Sequence, residues 1–295
     1  MDFLTKIWKK NQADQKRKAE REALEKLLPT LFQNAVALDF EGSPSGRCGD
    51  TRFGGAPDVP KDFVWPYYTT STYEDSEEKP RPLAFLAQFD LSQVSVYDKE
   101  ELLPKTGVLS FFYELESQCW GFDPKDKGCA RVFLFEDASS LCPMSFPEDL
   151  PEEFRLMPAA IQMRSAQTLP DWEDFLMIED AVTSDYAVYY DVKDALLPQI
   201  SDSALLGYPI HMQGNMTSQC ELISRGFYLG SDWSEISESE RAAADRAFSE
   251  WQLLFQLGSE RELMFGDCGR IYFYIRKDDL AARRFDRVWL ILQCG

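Results

Sequence analysis

A single histidine, His211, stands in 295 residues. That scarcity excludes histidine-rich metal sites, HExxH zinc sites and every triad that needs an imidazole base. No GxSxG, GxxxxGK[ST] or GxGxxG occurs, so neither a nucleophile elbow nor a phosphate-cradling loop is indicated. Cys48, Cys119, Cys129, Cys142, Cys220, Cys268 and Cys294 are odd in number, scattered and without a CxxC. With no apolar signal segment in front, they fit a reduced cytoplasmic set. No stretch approaches the roughly 18 uninterrupted apolar residues of a spanning helix. No structural metal or cofactor is expected.

Basic residues are also scarce outside the first turns of the chain. Residues 1–28 hold eight Lys and Arg against five Asp and Glu, and the remainder holds 23 basic against 45 acidic residues, a net −22. Such a surface repels nucleic-acid phosphates and attracts a basic protein or peptide. Hydrophobic residues make up 44% and aromatics 14%, enough for a substantial core.

The opening segment has helix-forming composition, with Phe3, Leu4, Ile7 and Trp8 and then Leu24, Leu27 and Leu28 at helical spacing, so one helix is expected up to Leu28. Its basic face with an aromatic tip suits self-docking on the acidic body better than peripheral contact with an anionic membrane. Thr69 to Pro82 reads as an exposed mobile loop, and a proline-rich connector over about 137–204 offers only short elements. Ser237 and Glu240 have capping-box spacing at the head of an Ala-rich helix running toward Trp251.

Four short blocks recur in order on either side of the connector. Gly55-Ala56-Pro57 matches Gly207-Tyr208-Pro209, and Phe85 to Phe89 matches Leu253 to Leu257, which sets Gln88 beside Gln256. Gly107 to Phe111 matches Gly269 to Phe273, and Arg131 to Leu134 matches Arg287 to Leu290. The expected fold is α+β: two intertwined, duplicated repeats of antiparallel sheet with packed helices, over about 53–136 and 205–294, within one domain from 29 to 295. Residues 1–28 add an N-terminal helix. Leu109, Phe111 and Tyr113, and likewise Ile271, Phe273 and Ile275, are expected on one face of their strands.

Phe53-Gly54-Gly55-Ala56-Pro57, Trp65-Pro66, Leu83 to Leu91, Trp251 to Gln256 and Phe265-Gly266-Asp267 together resemble the YwqG-like family of bacterial proteins, whose function is unknown. The resemblance spans roughly Phe53 to the C-terminus and implies two intertwined repeats of antiparallel sheet. It implies no activity and brings no catalytic residues. Phe265 stands where that family commonly has Trp.

Candidate ligand residues follow from chemistry. Trp120 beside Asp123 combines apolar contact with hydrogen bonding. Gln88 and Gln256 are amides in apolar strands, either satisfied by backbone or lining a pseudo-symmetric cleft. Asp267 lies in GDCG, a tight turn whose acid the turn alone does not require, and Trp65 completes the set. Asp123, Asp126 and Gly128 fall short of a calcium loop, because Lys125 and Lys127 occupy ligand positions. His211 is expected to be structural. Two functions stay open: an interaction protein whose acidic surface binds a basic protein or peptide, or a small-molecule binder or enzyme with a cleft between the repeats.

Overall fold

The structure is a computed structural model that describes residues 3–178, 185–198, 200–230 and 233–295, with side chains from residue 12 onward. The expected stripe of Phe3, Leu4, Ile7 and Trp8 therefore lies outside the described side chains.

Helix and sheet are mixed. In chain order the strands are β1 (Gln33–Phe40), β2 (Arg52–Phe53), β3 (Asp58–Pro60), β4 (Tyr67–Thr70), β5 (Lys79–Pro82), β6 (Ala84–Asp90), β7 (Val108–Tyr113), β8 (Ala130–Phe135), β9 (Leu141–Pro143), β10 (Ala159–Thr168), β11 (Ser203–Leu206), β12 (Trp251–Gly258), β13 (Arg270–Arg276) and β14 (Trp289–Gln293). The helices are α1 (Phe3–Leu27), α2 (Leu91–Val94), α3 (Trp172–Ile178), α4 (Tyr186–Leu196), α5 (Thr217–Ser224), α6 (Glu238–Arg246) and α7 (Lys277–Ala281).

Ten strands form one antiparallel sheet in the order β14-β13-β12-β11-β1-β10-β2-β6-β7-β8, and β3-β9 and β4-β5 form separate pairs. The sheet curls until its two ends meet. Phe111 of β7 lies 4.8 Å from Phe255 of β12 and 5.1 Å from Phe273 of β13, ring centre to ring centre. Leu109, Phe111, Tyr113, Ile271, Phe273 and Ile275 all enter this one core, as their period of two requires. The opposite face is covered too: Tyr272 and Tyr274 pack under α5 and α6, and Phe85 and Phe112 pack with Trp65 and Leu150.

Both outer hairpins carry a register shift at the same place, between Phe85 and Ala87 in β6 and between Leu253 and Phe255 in β12. Facing Phe111 is Val132, and facing Phe273 is Leu290. The sequence match of Arg131 with Arg287 is thus out by two positions, since Arg287 closes a 3-10 turn before β14.

Three further expectations need correction. Thr69 to Pro82 is largely a hairpin of β4 and β5 rather than a loop. The buried Arg81 guanidinium draws it shut by bonding Asp75 at 3.0 Å, Glu116 at 2.5 Å and the Thr70 carbonyl at 3.1 Å, and an outlying pair tolerates Pro80 and Pro82. The connector contains β10, ten residues long and central in the sheet. Its Gln162, Arg164 and Ser165 face solvent, which blurred the apolar pattern. Finally, α6 begins at the expected capping box but stops at Arg246, and a 3-10 turn over Phe248–Glu250 leads into β12.

At the N-terminal side, Leu24 and Leu28 are buried against Phe175, Val188, Tyr189 and Val192, so the end of α1 packs on α4. Residues 12–19 of the helix are exposed. Among the described residues no helix is long and apolar enough to cross a membrane.

Candidate functional site

The segment from Ser117 to Asp126 spans the gap between the two ends of the curled sheet. Trp120 accepts from the Leu292 N–H at 3.0 Å, and the Trp289 indole donates to the Gly121 carbonyl at 2.9 Å. Gly121 is required, because it turns at φ 77° and a side chain there would run into the Leu290 carbonyl. Phe122 accepts from Leu229 N–H at 2.7 Å, and Tyr68 donates to the Lys125 carbonyl at 3.1 Å. The segment, which connects β7 to β8 at one end of the sheet, is therefore tied to β14 at the other and also to Leu229 and the β4–β5 hairpin.

On its outer side lies a groove of about 590 Å³ walled by Trp120, Phe122, Asp123, Asp126 and Tyr228. Trp120 is 40% and Tyr228 53% exposed. Asp123 caps its own turn by accepting from Lys125 N–H at 2.9 Å, and Asp126 accepts from Gly121 N–H at 3.0 Å. Burial raises the Asp126 carboxyl above the usual range, against the bonds that it accepts. Cys119 also reaches the groove, its thiol held below the usual range first by the Cys129 thiol and then by Ser117.

A second hollow, about 290 Å³, is lined by Thr72, Tyr73, Glu74, Glu116, Glu153 and Phe154; Glu116 is the chain neighbour of Ser117, which lines the first. Among the described residues no Lys, Arg or His lines either depression. Under the rim, Arg81 pairs with Glu116, so that carboxylate is the one already matched.

Trp120 and Asp123 thus meet in one groove, as the sequence suggested. Asp267 is exposed nearby. Its neighbour Gly266 donates to the Gln118 side chain at 3.1 Å, and Gln118 in turn donates to the Met264 carbonyl at 2.9 Å, tying the GDCG turn to the groove segment. What the turn uses of Asp267 is its carbonyl, which accepts from Gly295. Gln88, Gln256 and Trp65 line neither depression: both amides are fully buried, and Trp65, 5% exposed, donates its indole N–H to the Leu83 carbonyl at 2.9 Å. Tyr73, Glu153 and Tyr228 were missed. Tyr73 stood in a segment taken as a loop, and Tyr228-Leu229-Gly230 carries no signal that separates it from any turn.

Elsewhere, a buried ionic network joins α3 to the segment after β11. His211 Nε2 lies 3.1 Å from Asp174 and Nδ1 3.8 Å from Glu173, yet neither ring nitrogen is aligned for a hydrogen bond. Burial lowers the imidazole, but Asp174 and Glu173 outweigh it and raise it to about 9. Lys193 bonds Asp171 at 2.5 Å, and Asn215 bonds Asp174 at 2.5 Å. A cavity of about 510 Å³ opens beside Lys193 and Tyr190. Among the described residues no group of three His, Cys, Asp or Glu side chains is placed to hold a metal ion.

Residues 51–294 match the family model of a domain of unknown function, DUF1963. The chain belongs to this family. No curated protein matches it. The matched span begins after β1, although β1 pairs on both sides in mid-sheet, with β10 and β11, so the structural unit reaches further forward than the family span.

Proposed function

We propose that this DUF1963 protein is a non-catalytic interaction protein whose acidic, aromatic groove takes a basic segment of a protein or peptide partner. The observation that carries the reading is a pair of hollows that gather Trp120, Tyr228 and Tyr73 with Asp123, Asp126, Glu74 and Glu153, with no basic side chain on their walls among the described residues. An aromatic face beside a carboxylate suits a Lys or Arg side chain, attracting the cation over the ring and pairing it at the edge. The net charge of −19 speeds the approach of such a partner and disfavours nucleic acid. Cytoplasmic location belongs to the same reading, supported by seven free thiols.

The two ends of the sheet are read as intertwined copies of one unit, of the YwqG-like type that the sequence resembles, within a body over 29–295. The support is a shared frame. Gln88 accepts from Asp58 N–H at 3.0 Å and donates to the Asp50 carbonyl at 2.9 Å. Gln256 accepts from Ile210 N–H at 3.0 Å and donates to the Asp202 carbonyl at 3.2 Å. The spacing between carbonyl and amide is the same in each. Intertwining follows if β1, which pairs with β11, and β10, which pairs with β2, are exchanged strands.

The test is titration of the protein with octalysine and octaglutamate peptides, following Trp fluorescence at low and high salt. Octalysine should bind and weaken as salt rises, and Trp120→Ala should reduce its affinity about tenfold with the melting temperature kept. Equal binding of the two peptides, or binding indifferent to Trp120→Ala, would refute the reading.

A further inference from the structure

A smaller cavity, about 210 Å³, lies between α3, β12, β13 and the turn at 207–209. Asp174, Thr217, Trp251, Gln252, Tyr274 and Lys277 are on its wall. Its depth is polar in an unusual way. The Tyr274 hydroxyl on its wall is buried without a hydrogen-bond partner. A buried hydroxyl left unmatched costs stability, so one on a cavity wall needs a reason.

Charge points the same way. Of the three carboxylates in the neighbouring network, Asp171, Glu173 and Asp174, it is Asp174 that reaches the cavity wall. The neutral groups on the wall also offer acceptors. Thr217 spends its proton on Asn215 at 3.0 Å, and Gln252 spends an N–H on the Leu253 carbonyl at 3.1 Å, which leaves oxygen lone pairs of both groups free. A carboxylate, a phenol oxygen, a hydroxyl and an amide oxygen suit an ammonium with three donors. Trp251, fixed by its indole bond to Glu221 at 3.0 Å, supplies a rigid apolar wall. Asp174 and Tyr274 lie deep at 2% exposure, whereas Lys277 and Ser249 are exposed at the mouth.

We propose that this cavity binds a free zwitterion of amino-acid size, its ammonium seated inward on Asp174 and the Tyr274 oxygen and its carboxylate outward at Lys277. Nucleotides are too large for the space, and a bare anion meets the wrong charge at depth. The site is independent of the aromatic groove, so either reading can fail without the other.

The experiment is calorimetry and thermal melting of the full chain with the free L-amino acids, β-alanine and γ-aminobutyrate as probes. At least one should bind and raise the melting temperature, and N-acetylation of that probe should abolish both effects. Tyr274→Phe removes only an unpartnered hydroxyl, so the free protein should melt no lower, while affinity for the probe falls about tenfold. Lys277→Ala, at the exposed mouth, should weaken the zwitterion about fivefold and leave the decarboxylated amine unaffected. The proposal is overturned if no probe binds, if binding ignores Tyr274→Phe, or if the amine alone binds as tightly as the zwitterion.

Discussion

The turn after β2 and the turn after β11 share a frame and differ in what fills it. Each reverses through two consecutive positive φ angles, 58° and 71° at Gly54 and Gly55 and 61° and 71° at Leu206 and Gly207. Each is closed by one buried glutamine, as described above. Inside the first frame stands an ion pair: Arg52 meets Asp58 at 2.5 Å, and Asp58 also accepts from Gly49 N–H and from Gln88, each at 2.8 Å. Burial pushes the Asp58 carboxyl up, but Arg52 and Gly49 outweigh it and hold it below the usual range. In the second frame the corresponding places hold Ala204 and Ile210. The polar group there sits one residue further on, at His211, and meets Glu173 and Asp174 of α3. The frame follows from the strands, while the chemistry lives where the contents diverge.

The comparison breaks first at the ion pair. Asp58→Ala leaves the Arg52 guanidinium buried and unpaired, and denaturant unfolding should show a loss of about 3–5 kcal/mol; a loss below about 1 kcal/mol would mean that the first frame does not depend on its contents.

Opposite pH responses come next. Because the Asp58 carboxyl is held low, its stabilisation is present at neutral pH and is lost as pH falls through its folded value. Because His211 is raised from 6.5 to about 9, its stabilisation is full below 6.5 and is lost as pH rises through about 9. On the order of 3 kcal/mol should disappear over that alkaline window in urea melts, and His211→Gln should flatten the alkaline limb alone.

Gln88→Ala and Gln256→Ala sharpen the shared part. Each strips a turn amide of its acceptor and should cost about 1–3 kcal/mol, with Gln88 the more costly because Asp58 loses a donor as well. A neutral Gln256→Ala would dissolve the likeness of the two turns. The smallest expected effect is at Asp267, whose exposed side chain is not what the GDCG turn uses. Asp267→Asn should change the melting free energy by less than about 0.5 kcal/mol.

Much of this was legible in the sequence because burial and period determine it. The faces of β7 and β13 and the capping box of α6 follow from side chains whose neighbours are set by the strand or helix itself. β10 was hidden because exposed polar side chains, Gln162 and Arg164 on one face and Ser165 and Gln167 on the other, interrupt its apolar pattern. The β4–β5 hairpin was hidden because Arg81 closes it with partners at 75 and 116, a relation that no local pattern carries. Trp120 and Asp123 were candidates from their own chemistry, and both line one groove. Tyr228 and Glu153 reach the hollows through contacts between segments far apart in sequence, and the ionic network of His211 depends on α3 folding back on the segment after β11.

The groove itself is tested most directly by hydrogen exchange on the full chain with and without saturating octalysine. Slower exchange should appear at the backbone of 117–126 and 228–230 and extend to 72–74, with the rest of the acidic surface unchanged. Protection spread evenly over acidic segments, or absent from 117–126, would contradict the account.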